Sequence, residues 1–388
     1  MLKLIFILCC LSVNSFAQNV ILTSTEKVAE ISPDSYLGYN NANLICYDKS
    51  GNSYIIYSNK NSVNILKNNL DEYNWEIIDI YKSSGIGLPT INISNDTIVW
   101  AVWTEINATG KSEIYLKYFS LNSEMQNDVF KINSDYSSIA PSVSVGNEKL
   151  YLTWCETSDN DTSVMFNTFD YKSNSFTSPV KLDIYSGKAD CPGISSVGDS
   201  IFICWRQSLA GENQKIYTRV STDGGNNWGD IILASQINEF DLIDPVISYS
   251  KNYPSGSGVI YLSYFGNNKI FLQKSYDMGN TWSSEIVVSN QGAFPRIANN
   301  DLGFVLISFE YLKTPENPNV FIDSLKDVGL SYSFNSGEQF SKDTIARTFN
   351  NEGNVCGSVY KISENEFALI WLSKLKSHNE IKLRKIKF

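Results

Sequence analysis

The chain has 388 residues, with 41 Asp and Glu against 31 Lys and Arg and a formal net charge of −10. That balance argues against nucleic acid and anionic membrane surfaces as partners, since both attract basic faces. His378 is the only histidine, which excludes a histidine-built zinc centre and a Ser-His-Asp triad; no metal and no cofactor are expected.

The first residues read as an export signal. Lys3 supplies a positive start, residues 4–13 an apolar run, and Ser15 and Ala17 a small-x-small cleavage site. Residues 1–17 are thus expected to be a signal peptide and 18–388 one domain. The apolar run is too short to span a bilayer, and no later stretch is long enough. Cys9 and Cys10 lack a small residue placed for lipid attachment, so secretion is expected rather than a lipid anchor. The destination (periplasm, surface or medium) stays open.

A pattern then recurs about every 50 residues, the spacing of repeat architectures. Each copy starts with Pro or an apolar residue, alternates apolar and polar positions across a turn, and ends on an aromatic. The copies are 44–57, 89–103, 141–154, 192–205, 245–264, 295–309 and 357–371. Period-2 alternation across a Gly/Asn/Asp turn predicts a β-hairpin. Third strands are predicted at 114–119, 164–169, 216–220, 270–274 and 328–332, and a fourth strand closes each unit. The seventh unit, at 355–362, 367–372 and 380–388, lacks its fourth strand. The segment 19–24, NVILTS, is a spare one. Pairing it with the C-terminal strand would remove two exposed sheet edges.

Cys46, Cys155, Cys191, Cys204 and Cys356 remain after the leader. Their odd number leaves at least one free or paired between chains, and small buried hydrophobes are a better reading than a disulfide framework.

Three octets follow third strands: STDGGNNW at 221–228, SYDMGNTW at 275–282 and SFNSGEQF at 333–340. Their key residues are Ser221, Asp223, Gly225 and Trp228; Ser275, Asp277, Gly279 and Trp282; and Ser333, Asn335, Gly337 and Phe340. The acid or amide is suited to bonding turn amides and the glycine to a positive φ. The octets resemble the Asp-box (BNR) repeat of sialidase-like β-propellers. The resemblance implies an all-β propeller. The repeat count predicts seven four-stranded blades closed by the terminal strands. Sialidases themselves have six, and six is the alternative. The resemblance also implies that the octets are structural and that ligands bind at the other face, at the mouth of the central channel.

Residues just after second strands or near first-strand starts would project there. Glu105 and Glu156 form a candidate acid and base pair, with Glu310 a third catalytic candidate. Arg206, Gln207, Asp244 and Arg296, with Asp190, are the ligand-binding candidates. The long connection 310–327 makes that rim asymmetric. The sialidase arginine triad is not reproduced. Arg206 is the first arginine in the chain, no FRIP motif occurs, and the similar residues at 294–297 stand in a different order. The expected function is therefore a non-catalytic, monomeric module that binds a glycan or a cell-surface protein. The alternatives are an exported glycosidase with a non-standard site and an assembly factor that uses its loops.

Overall fold

The computed structural model describes residues 19–388 except 39–41, 70–73, 122–127, 133, 147–148, 159–160, 184–186, 210, 252–257, 314–325 and 347–352. The expected leader, most of the 310–327 connection and the Cys356 side chain lie outside the described residues. Among the described residues no helix is long and apolar enough to cross a membrane.

Among the described residues every element is a β-strand. β1 (Ile21–Leu22) and β2 (Glu26–Ile31) open the chain. β3 (Ile45–Tyr47), β4 (Ser53–Asn59), β5 (Ser62–Asn68) and β6 (Trp75–Lys82) form an antiparallel sheet in sequence order. β7 (Ile86–Ser94), β8 (Ile98–Ile106), β9 (Ser112–Ser120) and β10 (Phe130–Lys131) repeat that arrangement. A nine-stranded sheet follows. Its first half is β11 (Ser137–Val145), β12 (Lys149–Thr157) and β13 (Thr162–Asp170), edged by β14 (Ser175–Phe176) and β15 (Val180–Lys181). Its second half is β16 (Lys188–Val197), β17 (Ser200–Ser208), β18 (Lys215–Ser221) and β19 (Ile232–Leu233). The halves join through one parallel pair, Thr162 with Lys188.

Two more four-stranded sheets come next. One holds β20 (Ile243–Ser250), β21 (Val259–Gly266), β22 (Lys269–Ser275) and β23 (Ile286–Ser289). The other holds β24 (Gly292–Asn299), β25 (Val305–Leu312), β26 (Lys326–Ser333) and β27 (Thr344–Ile345). The last sheet is β28 (Gly353–Ser363), β29 (Glu366–Lys374) and β30 (Asn379–Lys387), completed by β1 and β2 on β30. The first strands β3, β7, β11, β16, β20, β24 and β28 each touch the next, and β28 touches β3.

The terminal pairing is longer than the segment 19–24 anticipated. Ile21 and Leu22 oppose Lys387 and Ile386, and after a break Glu26 to Ile31 oppose Leu383 to Asn379. β2 gives little sequence signal because only Val28 and Ile31 of EKVAEI are buried. Its partner strand, rather than its own pattern, holds it.

The core lies between neighbouring sheets. Trp100 and Tyr118 of one sheet pack with Leu152, Trp154 and Phe169 of the next. Middle strands are covered on both faces, so β21 is buried along its whole length. Trp100, Trp103, Trp154, Trp205 and Trp371 are fully buried and supply large apolar area. Cys46, Cys155, Cys191 and Cys204 are buried and form no disulfide among the described residues.

The three octets share one hydrogen-bond pattern. Ser221, Ser275 and Ser333 each donate from Oγ to the acid or amide two residues on, at 2.9, 2.8 and 2.7 Å. Each serine Oγ also accepts from Gly225, Gly279 or Gly337 N at 2.9, 2.8 and 2.9 Å. Asp223, Asp277 and Asn335 Oδ1 accept from the backbone N–H of Asn227, Thr281 and Gln339 at 2.8, 2.9 and 3.0 Å. The glycines have φ of 86°, 88° and 76°. Each presses on the third strand of the preceding repeat: Gly225 on Phe166, Gly279 on Val220 and Gly337 on Leu272. The octet is therefore both a turn and a contact between repeats.

Candidate functional site

A shared backbone irregularity shapes the sheet ends opposite the octets. Leu88, Ala140, Cys191, Asp244 and Phe294 have φ of 43°, 52°, 51°, 48° and 53°. Each immediately precedes a proline. Side chains are disfavoured in this left-handed region, so five such residues at one repeat position form a built feature. Each coincides with a register shift in its first strand, between Gly87 and Thr90, Ile139 and Ser142, Asp190 and Gly193, Ile243 and Val246, and Ala293 and Arg296. Bulges of this kind re-aim side chains. The prolines marked the repeat in the sequence, but the bulge before them left no separate signal.

Second strands end beside these bulges. Glu105 opposes Ile86, Glu156 opposes Ser138, Arg206 opposes Asp190 and Glu310 opposes Ala293. Glu105 and Glu156 thus correspond on β8 and β12, opposite the residue two before the bulge, whereas Arg206 and Glu310 correspond on β17 and β25, opposite the residue one before it, so the two pairs sit on alternate faces of their strands.

Arg206 and Asp190 make a two-pronged ion pair. Arg206 Nη2 donates to Asp190 Oδ2 at 2.9 Å, and Nε donates to Oδ1. Burial opposes the charge on Arg206, but its hydrogen bonds to Asp190 and the nearby charges of Asp190 and Asp244 outweigh it and hold the guanidinium above its ordinary pKa. Asp244, 2% exposed, comes from the following repeat. Asp190 and Arg206 also act on the buried Cys155 thiol, which puts the end of β12 beside the cluster. Burial raises the thiol pKa values of Cys155 and Cys191, so both stay neutral. Arg206 Nη1 has no hydrogen-bond partner among the described residues. Gln207 faces the core instead. Its Oε1 accepts from Trp205 Nε1 at 3.1 Å, and its Nε2 is buried with no hydrogen-bond partner among the described residues.

The two glutamates of the candidate pair have separate surroundings. Glu105 bonds Ser83 and lies beside Tyr81 and Tyr115, whose hydroxyl pKa values are raised by burial first and by the Glu105 charge among lesser causes. Glu156 lines a cleft of about 260 Å³ with Tyr136, Asp161 and Lys181. Tyr136 is 52% exposed, a free aromatic face at that edge. Tyr136 and Lys181 carried no motif in the sequence.

Glu310 and Arg296 sit deeper. Glu310 and Lys326 form a buried ion pair, with Lys326 Nζ 5.3 Å from the centre of the Phe294 ring. Arg296, 6% exposed, lines a cavity of about 50 Å³ between first strands, with Asn43, Gly193, Val246 and Ser358. That space suits water better than a sugar ring. Its Nη1 donates to Pro295 O at 3.0 Å.

Elsewhere, Glu30, His378 and Glu380 bring ligand atoms within 4.8 Å of one another. Lys27 lies 2.7 Å from Glu30, and Lys382 pairs with Glu380, so cationic side chains already occupy that group.

No protein-family model matches the chain, and no curated protein matches it. Solved structures do. An ulvan lyase of polysaccharide lyase family PL25, bound to -[GlcA(1-4)Rha3S]-, superposes with a TM-score of 0.64 at 12% identity over 92% of this chain and 94% of that one. The polysaccharide lyase Uly1 matches with a TM-score of 0.58 at 10% identity over 95% and 99%. The α-L-arabinofuranosidase Arb93A from Fusarium graminearum matches with a TM-score of 0.50 at 12% identity over 81% and 98%. At these identities the likeness is one of fold: the chain has an all-β fold of the propeller type.

Proposed function

We propose that this chain is an exported, seven-bladed Asp-box propeller that binds a glycan at the sheet ends around Arg206, without cleaving it. The observation that carries the reading is the Arg206 and Asp190 fork. It holds a guanidinium rigidly and leaves Nη1 for a ligand. Asp190, partly exposed, offers acceptor lone pairs beside it, and neighbouring donors and acceptors suit sugar hydroxyls. Tyr136 adds an exposed aromatic face in the preceding repeat, beside Glu156. Contact of β28 with β3 supports seven blades, and the three matching octets support the Asp-box reading. The apolar run at 4–13 supports export with cleavage near Ala17, which N-terminal sequencing of the secreted protein tests.

A second reading is a glycan-cleaving enzyme. It is favoured by the fold shared with two polysaccharide lyases and an arabinofuranosidase over most of each chain. One experiment separates the two. Wild type and Arg206→Ala are assayed on a glycan array, on uronate-containing polysaccharides for unsaturated products, and on fluorogenic glycosides. Binding without turnover, lost in the variant, supports the first reading. Turnover lost in the variant supports the second. If wild type neither binds nor cleaves any glycan, both readings fail.

A further inference from the structure

The register of three strands builds the cleft beside Glu156. Glu156 of β12 opposes Ser163 of β13, and Met165, two residues on, opposes Lys181 of β15. Alternation along β13 puts Ser163 and Met165 on one face, so Glu156 and Lys181 share that face. The turn after β12 adds Ser158 and Asp161, and Tyr136, just before β11, completes the walls of about 260 Å³. Ser134 fixes the backbone of Tyr136: Tyr136 N donates to Ser134 Oγ at 3.0 Å, and that hydroxyl donates to Tyr136 O at 3.2 Å. Arg206 is not a wall residue, so the cleft shares only Tyr136 with the surface proposed above.

The polar groups of the cleft are open to solvent and unevenly satisfied. Glu156 is half-buried and makes no hydrogen bond or ion pair with a described residue. Asp161, also half-buried, accepts from Thr162 N through Oδ1 at 3.0 Å, which leaves its Oδ2. Lys181 is the only cation on the walls, and its Nζ lies 3.4 Å from Oδ2 of Asp183, whose side chain is fully buried. That pair balances itself, so the walls carry two carboxylates in excess. The exposed Tyr136 ring faces solvent beside them.

This chemistry asks for a cation of a particular kind. Two carboxylates fall short of the roughly six to eight oxygens that calcium takes. The three N–H donors of an ammonium match the free carboxylate oxygens in number, two on Glu156 and Oδ2 of Asp161. Ser158, Ser163 and Tyr136 line the rest with hydroxyls, which suits a hydroxyl-bearing ring better than the apolar stem of a lysine. We propose that the Glu156 cleft binds one amino sugar residue whose amine is free and protonated. The ammonium donates to Glu156 and Asp161, the ring lies against Tyr136, and Ser163 meets a ring hydroxyl.

Isothermal titration tests this with the fully deacetylated chitin disaccharide and with its N-acetylated form, which keeps the rings and removes the charge. The proteins compared are full-length mature wild type, Glu156→Gln, Tyr136→Ala and Glu76→Gln, each checked for native circular dichroism. Glu76 is an exposed acid on β6 outside the cleft, so its variant measures attraction to net charge alone. Wild type is expected to bind the amino form at least about tenfold more tightly than the acetylated one. That affinity is expected to fall about tenfold in Glu156→Gln and about two- to fivefold in Tyr136→Ala, and to stay unchanged in Glu76→Gln. The proposal is overturned if wild type binds the two forms equally or binds neither, if Glu156→Gln binds as wild type does, or if Glu76→Gln loses as much as Glu156→Gln. Tighter binding of the peptide Gly-Lys-Gly than of the amino disaccharide would reassign the cleft to basic peptides and overturn it as well. Arg206 is intact throughout, so failure here leaves the Arg206 reading standing.

Discussion

Arg206 and Asp190 stand directly opposite each other on β17 and β16, and the guanidinium holds the carboxylate through Nη2 at 2.9 Å and through Nε. The fork fixes the arginine's plane, so the two residues act as one unit. Asp190→Asn keeps the size and removes the charge. We expect it to weaken glycan binding by roughly three- to tenfold through loss of a charge-assisted bond that positions Arg206. Arg206→Lys is expected to bind no better than Arg206→Ala, because an ammonium cannot reproduce the planar fork. Isothermal titration with an array-identified glycan checks both, and wild-type affinity in Arg206→Lys would refute the positioning role.

Gly225 and Gly110 separate two costs of a left-handed backbone. Their φ values are 86° and 82°. A Cβ at Gly110 meets nothing within 4 Å, whereas one at Gly225 would overlap the Phe166 ring. Gly110→Ala should therefore cost about 1–2 kcal/mol, the conformational term alone. Gly225→Ala should cost roughly a further 1–3 kcal/mol from overpacking. Urea denaturation of both variants measures the difference. Equal losses would mean that the octet is only a turn and does not couple neighbouring repeats.

The octet acids give a pH dependence of defined sign. Asp223 is held below the usual carboxylate range by the backbone N–H of Asn227 and that residue's side chain. For Asp277, burial pushes the pKa up, but the Thr281 side chain and backbone and Ser275 together outweigh it and lower the pKa. A lowered folded-state pKa contributes stability above the unfolded value of about 3.9, and that contribution is lost as pH falls through the folded value. Asn335 fills the same place without titrating. Asp277→Asn should therefore lower stability at neutral pH, where the ionised carboxylate contributes, leave it nearly unchanged in strong acid, and so flatten the acid limb. Denaturation midpoints from about pH 6 down to about pH 2 test this. An unchanged acid limb would assign the dependence to other groups.

Glu310 and Lys326 are buried together, 6% and 5% exposed in their side chains. Glu310→Gln removes the carboxylate from this buried pair and should cost about 3–5 kcal/mol, whereas the double change Glu310→Leu with Lys326→Met should cost much less. Thermal unfolding of the three proteins checks the order. If Glu310→Gln were as stable as wild type, the pair would have no structural role and Glu310 would return as a candidate for chemistry.

The strands, the repeat and the octets were legible in the sequence because their causes are local. Alternation across a turn makes a hairpin wherever it occurs, and Ser, Asp and Gly at fixed spacing close the same turn three times. The candidate residues at second-strand ends were legible for the same reason, since they follow from the repeat register. Their partners were not. Asp190 meets Arg206 because a bulge at Cys191 re-aims the strand, and Glu105 and Glu156 found different neighbours because Glu105 reaches Ser83 and Tyr81 of the preceding repeat whereas Glu156 lines a cleft of its own sheet. Arg296 went inward, and Gln207 turned to Trp205. β2 exists because β30 offers it an edge. The sequence by itself determined the local geometry of each repeat; tertiary structure decided which side chains meet, because such contacts depend on how twisted sheets pack and on where the termini pair.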